Sequence, residues 1–231
     1  MNISEIKRLL ANEDVQLRLR GLVNLKDHDS ETAIPLLIEQ RQDTAFLVRS
    51  FVAMGLGRKR SEVAYKTLLE MLAAEPDNNV QAEIANSLGL YGPIAVERLV
   101  SLFLSNDNWL VRRSILAIMP EMESPEHLLK IALVALEDSD QTIVQAGMAA
   151  LGLLADTSQA EKSLNALLPF LEDSNWRSRM ALATALKSFR NDSTDSLDND
   201  LSARAHSALV KLRQDSHHKV VAAALEDLLT A

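Results

Sequence analysis

Seven times along the 231-residue chain, a residue pair stands eight positions before a Leu or Met. The pairs are Leu17-Arg18 (with Leu25), Val48-Arg49 (Leu56), Val80-Gln81 (Leu88) and Val111-Arg112 (Met119). They continue as Ile143-Val144 (Leu151), Ser178-Arg179 (Leu186) and Val220-Val221 (Leu228). Successive pairs begin 31, 32, 31, 32, 35 and 42 residues apart. A period of this length kept over a whole chain means an array of small units. Each unit is too small to bury its own apolar face and must stack on its neighbours.

Each copy holds two apolar-periodic segments. Before the pair lies one such as Ala95–Ser105 or His127–Asp138, with apolar residues at i, i+3, i+4 and i+7, the stripe of an amphipathic helix. The segment that carries the pair is apolar on more than one side, as a helix with neighbours on two sides must be. Between them lie short runs of Asp, Asn and Ser, at Ser105–Asn108, Glu137–Thr142 and Glu172–Asn175. These side chains cap the free N–H groups of the second helix. The predicted turns centre near Asp14, Asp43, Asp77, Asp107, Asp140, Ser174 and Ser216. Gly57, Gly89 and Gly152 follow their pairs by nine residues, where a helix C-terminus invites a left-handed glycine. The stretch Arg190–Asp200 widens the last spacing and reads as an exposed loop. An arginine in the first turn of the second helix can lay its stem on apolar surface. Its head can bond carboxylates and carbonyls of successive turns, or a partner.

Composition agrees with helices throughout. Ala and Leu dominate and aromatics make up only 4%. The fold class is all-α: one α-solenoid of about seven helix pairs over residues 1–231. With no cysteine there are no disulfides, thiol nucleophiles or thiolate metal sites. No apolar run reaches membrane-spanning length, and no secretory leader opens the chain. A soluble protein of the cytoplasm is expected, with no membrane partner. Residues 1–60 are net +2, residues 61–175 net −11 and residues 176–231 net +1. The long acidic middle argues against nucleic acid and suits a partner with a basic patch.

Tandem helix pairs with Asp-rich turns and a second helix of the form Val-Arg-(seven residues)-Leu-Gly resemble HEAT repeats. Val48, Arg49, Leu56 and Gly57 carry the pattern. So do Val80, Leu88 and Gly89; Val111 and Arg112; and Ile143, Leu151 and Gly152. The short period resembles the phycobilisome lyase-like subtype of photosynthetic microbes. That resemblance implies a protein partner, such as a phycobiliprotein or another photosynthesis-related protein. It also implies two alternatives: a bilin lyase subunit or phycobilisome assembly or degradation factor, and an adaptor in iron–sulphur cluster assembly. The Trp-Leu-Gly-Tyr signature of tetratricopeptide repeats and the Thr-Pro-Leu-His of ankyrin are missing.

No catalytic constellation stands out. There is no phosphate-binding glycine loop and no nucleophile elbow. The histidines, His28, His127, His206, His217 and His218, lack zinc spacing. Counting an EF-hand from Asp192 puts Leu197 and Ala203 where Gly and Glu belong. No catalytic residue, metal or cofactor is expected, and the reading is a non-enzymatic scaffold or adaptor. One row of side chains invites contact. Two residues before the pairs stand Val15, Phe46, Asn78, Trp109, Gln141, Trp176 and His218. Phe46, Trp109 and Trp176 share this row and interleave with Arg49, Arg112, Arg113 and Arg179. Tryptophan and arginine are the residues interfaces favour. These seven are the candidate partner-binding residues, with Trp109, Arg112 and Arg113 at the centre.

Overall fold

The computed structural model describes residues 1–189 and 196–226. Among these residues there are fourteen α-helices and no strand. They follow one another as seven pairs. The first unit, Met1–Met122, holds four pairs: α1 (Ile3–Leu10) with α2 (Val15–Asn24), α3 (Ser30–Glu39) with α4 (Phe46–Lys59), α5 (Glu62–Ala74) with α6 (Asn78–Gly89), and α7 (Val96–Ser105) with α8 (Trp109–Ile118). The second unit, Glu123–Ala231, holds α9 (Pro125–Leu136) with α10 (Gln141–Gly152), α11 (Ala160–Leu167) with α12 (Trp176–Leu186), and α13 (Ser196–Leu212) with α14 (His218–Leu225).

Every second helix begins two residues before its anchor pair, at Val15, Phe46, Asn78, Trp109, Gln141, Trp176 and His218. The turn fixes that start. Three residues before it, a side-chain oxygen accepts the backbone N–H two positions on. The acceptors are Asn12, Asp43, Glu75, Asn106, Asp138, Asp173 and Asp215, at 2.6–3.1 Å. In six of the seven turns the residue just before the helix adds a cap. Asp14, Asp77, Asn108, Asp140, Asn175 and His217 each accept an N–H from the helix's first turn. Ala45, before α4, has no side chain able to do so. Two donors at the start of six of these helices, and one at the start of α4, are thus satisfied locally.

In the first unit α2, α4, α6 and α8 pack one on the next, and each also packs on the first helix of its pair. In the second unit α10, α12 and α14 do the same. The anchor residues lie in these layers: Val48, Leu56, Val80, Leu88, Val111 and Met119 are fully buried, as are Ile143, Leu151 and Val220. Ser178, which replaces the apolar residue in the sixth pair, is buried too.

Two expectations are corrected. Gly57, Gly89 and Gly152 are not left-handed caps; the one glycine with positive φ among the described residues is Gly92. They lie within helices and admit a neighbour. A Cβ on Gly57 would come within 2.9 Å of the Cα of Ser87 on α6, and one on Gly152 within 3.1 Å of the Cα of Ala185 on α12. Glycine there sets how closely stacked helices approach. The supposed loop Arg190–Asp200 is helical from Ser196 onward, as the start of α13. Residues 190–195, and Leu228 of the seventh repeat, lie outside the described residues.

Candidate interaction surface

The turn edge of each unit is built from the arginines of the anchor pairs. Arg18 donates two hydrogen bonds to the carboxylate of Asp43, at 2.6 and 2.9 Å, and two more to the carbonyls of Asn12 and Glu13 in its own turn. Arg49 grips Glu75 at 2.7 Å with both Nε and Nη2, and reaches the carbonyls of Asp43 and Thr44. Arg179 grips Asp215 at 2.6 and 2.9 Å and reaches the carbonyls of Asp173 and Ser174. Each guanidinium therefore ties its own turn to the next, and its target is the side chain that starts the next second helix. A planar fork with five donors suits this double task. The carboxylates are nearly buried, with Glu75 4% and Asp215 7% exposed at the side chain. The hydrogen bonds from Arg179 hold the Asp215 carboxyl below the usual carboxylate range, against burial pushing the other way.

The third repeat makes the same link without charge. Gln81 donates from Nε2 to the carbonyl of Glu75, and its Oε1 accepts from Asn106 Nδ2 at 2.6 Å. In the fourth, Arg112 Nε donates to the carbonyl of Asn106 at 2.8 Å.

The candidate contact residues divide into two groups. Arg49 and Arg179 commit their forks within the chain. Phe46 and Trp109, the first residues of α4 and α8, are 41% and 46% exposed. Arg113 is also exposed. In the second unit Trp176 is half-buried, with its ring stacked on that of His217 at 4.1 Å and 4° between planes. Arg177 lies over the indole at 4.5 Å and Lys219 at 5.2 Å. His217 Nδ1 accepts the backbone N–H of Lys219. Burial, then the charges of His218 and Lys219, press that imidazole below its ordinary value, which keeps it an acceptor.

Among the described residues, cavities lie at both ends of the second helices. Two occupy equivalent places at the turn edge. One, of about 490 Å3, lies beside Asp43, Arg49, Glu70 and Glu75; the other, of about 420 Å3, beside Glu172, Asp173, Arg179 and Asp215. Each mixes both signs of charge over an ion pair already made. The third, of about 170 Å3, lies at the other ends of α2 and α4, beside Phe51 and Met54. Among the described residues no group of three or more His, Asp or Glu is placed to hold a metal ion. No helix there is long and apolar enough to cross a membrane.

The acceptor row was missed in the sequence, yet its signal is there. From the arginine, or the Gln81 that replaces it, to its acceptor is a step of 25 residues for Arg18, 26 for Arg49 and 25 for Gln81. The step grows to 36 for Arg179, across the long last spacing.

Comparison with known proteins agrees with this architecture. Residues 5–89 match the family model described as HEAT repeats. No curated protein matches the chain. Among solved structures, the X-ray structure of Escherichia coli YibA is similar over 100% of this chain and 93% of its own, at 15% identity and a TM-score of 0.62. The complex of CpcE and CpcF of phycocyanin lyase from a Nostoc species is similar over 99% of this chain and 95% of that one, at 15% identity and a TM-score of 0.55. Such identities speak for the fold alone. With the regular turns and the stacked second helices, the chain is an all-α protein of tandem helix pairs, the first three of which, within residues 5–89, match the HEAT-repeat model.

Proposed function

We propose that this chain is a non-enzymatic protein-binding scaffold, and that side chains at the starts of its second helices touch the partner. Phe46, Trp109 and Arg113 carry the contact in the first unit, and Trp176 in the second. Arg49, Arg112 and Arg179 hold the edge on which they stand. The observation that carries the reading is Trp109, 46% exposed at the first position of α8. A large aromatic left in water beside an exposed arginine is costly in a free protein and is what an interface core uses. Arg113 follows Arg112 by about 100° around the helix. It is exposed, with no hydrogen bond or ion pair among the described residues. The test is affinity capture with the tagged chain from its source cell, in parallel with a Trp109→Ala/Arg113→Ala variant. A partner held by the parent and lost by the variant supports the reading. No specific partner for either, in repeated captures, overturns it.

A second reading has one observation behind it, the likeness of fold to the CpcE–CpcF complex of phycocyanin lyase. On that reading the chain is a lyase subunit or a phycobilisome assembly or degradation factor in a photosynthetic microbe, and its partner is a phycobiliprotein. Mixing the chain with free phycocyanobilin separates the two. A lyase subunit shifts and sharpens the visible band; a scaffold leaves it unchanged.

A further inference from the structure

The cavity near the C-terminal ends of α2 and α4 differs from the other two. Its walls are apolar: Val23 (45% exposed), Phe51 and Met54 stand around a floor where Gly55 lies against Leu37. A Cβ on Gly55 would come within 2.7 Å of a Leu37 methyl, so the glycine keeps the floor low. Three cations, Lys26, Arg58 and Lys59, line it and no carboxylate does, whereas both turn-edge cavities contain carboxylates. This is notable in a chain of net charge −8. The Lys59 ammonium is fixed, donating to the carbonyls of Lys26 and His28, while Lys26 and Arg58 are exposed. The acids nearby are Asp27, exposed beside Lys26, and Glu83 on α6, which lies within the field of Arg58.

Size narrows the occupant. About 170 Å3 is below the roughly 300–1,000 Å3 of a small-molecule site, so a prosthetic group does not fit. One large apolar side chain does. An apolar socket with cations at its rim recognises an apolar anchor flanked by carboxylates. We propose that the socket formed by Val23, Phe51 and Met54, with Lys26, Arg58 and Lys59 at its rim, docks an acidic amphipathic segment of a partner protein. The proposal rests on the scaffold reading above and adds to it a contact point of defined chemistry. Repeats one and two then read a short linear segment, apart from the surface at Trp109.

The experiment uses the full chain with isotopically labelled Met, Leu and Val methyls. It is titrated with a synthetic helical peptide carrying Leu at i, i+3, i+4 and i+7 and Glu elsewhere, and with its counterpart carrying Lys for Glu. The expected result is a saturable shift of the Met54 and Val23 methyls, with the Glu peptide bound at least about tenfold tighter than the Lys peptide. Lys26→Gln/Arg58→Gln should erase that preference, and since both side chains are exposed and no new charge is placed beside Glu83 the melting curve should change little. Equal binding of the two peptides, shifts confined to other methyls, or no effect of removing the two charges overturns the proposal. So does a concentration-dependent shift of Met54 without peptide, which would make the socket a contact between two copies of the chain. If the proposal fails while capture through Trp109 and Arg113 succeeds, the scaffold reading survives. If capture yields nothing, that reading fails whatever the peptides do.

Discussion

The edge that joins α4 to α6 and the edge that joins α6 to α8 have the same geometry and different chemistry. At the first, Arg49 holds the nearly buried Glu75 in a two-pronged ion pair. At the second, Gln81 and Asn106 exchange a neutral amide hydrogen bond in the equivalent place. Both Glu75 and Asn106 also accept the N–H that sets the start of the following helix. Where the position is polar, it takes a planar group that reaches a carbonyl of its own turn; in the fifth repeat Val144 fills it with buried apolar surface instead. Charge is optional. A charged pair brings stronger bonds, and it brings a penalty if one partner is lost, because the survivor is left desolvated.

That difference can be broken or sharpened by measurement. The largest effect should come from Arg49→Ala, which strands the Glu75 carboxylate. A loss of about 2–4 kcal/mol in urea unfolding is expected, toward the lower side of the range for a buried pair because the guanidinium edge meets solvent. Gln81→Ala should cost only about 1 kcal/mol, the worth of a neutral hydrogen bond. Equal losses would erase the distinction between the two edges. Converting the first edge into the second, with Arg49→Gln/Glu75→Gln, should land within about 1 kcal/mol of the parent, since no charge is left unpaired. If the double variant is worse than Arg49→Ala, the edges are not interchangeable.

The smallest effect at neutral pH belongs to titration. The Asp215 carboxyl is held below its unfolded value chiefly by the hydrogen bonds from Arg179. A depressed acid contributes its full stability above the unfolded value, near pH 4, and loses it as pH falls through the folded one. Asp215→Asn should thus be less stable than the parent at pH 7, and the gap should close in acid below about pH 4. A gap independent of pH would mean that the pair contributes through shape rather than charge.

Much of this was legible in the sequence. The period placed all seven second helices, because an anchor residue such as Val48 or Val111 must be buried on two sides and little else in a helical chain must. The cap residues placed the turns, since Asp77 and Asn108 have few other uses just before an apolar run. Three things were not legible. The role of Gly57 depends on Ser87, a residue 30 positions on, and no local rule links them. The start of α13 at Ser196 was hidden by aspartates that suit a helix N-terminus as well as a loop. The socket beside Met54 takes Leu37 from one helix and Val23 from another, and only stacking brings them together. The candidate contact row was legible as a row, at one position of the repeat. Its members' different surroundings were not: Trp176 is stacked on His217 while Trp109 keeps nearly half of its surface in solvent.

The proposed function implies a division of labour: an arginine at the second position of the anchor pair, such as Arg49, fastens repeats, and Arg113, one position after Arg112, is proposed to meet a partner. The most direct measurement compares Arg49→Ala and Arg113→Ala by thermal melt and by titration with the first captured partner. Arg49→Ala should lower the melting temperature by several degrees, at about 2–4 °C per kcal/mol for a chain of this size. Arg113→Ala should melt with the parent and bind about tenfold or more weakly, a loss of about 1–2 kcal/mol. An Arg113→Ala variant that binds as tightly as the parent, or that melts as early as Arg49→Ala, would contradict the division.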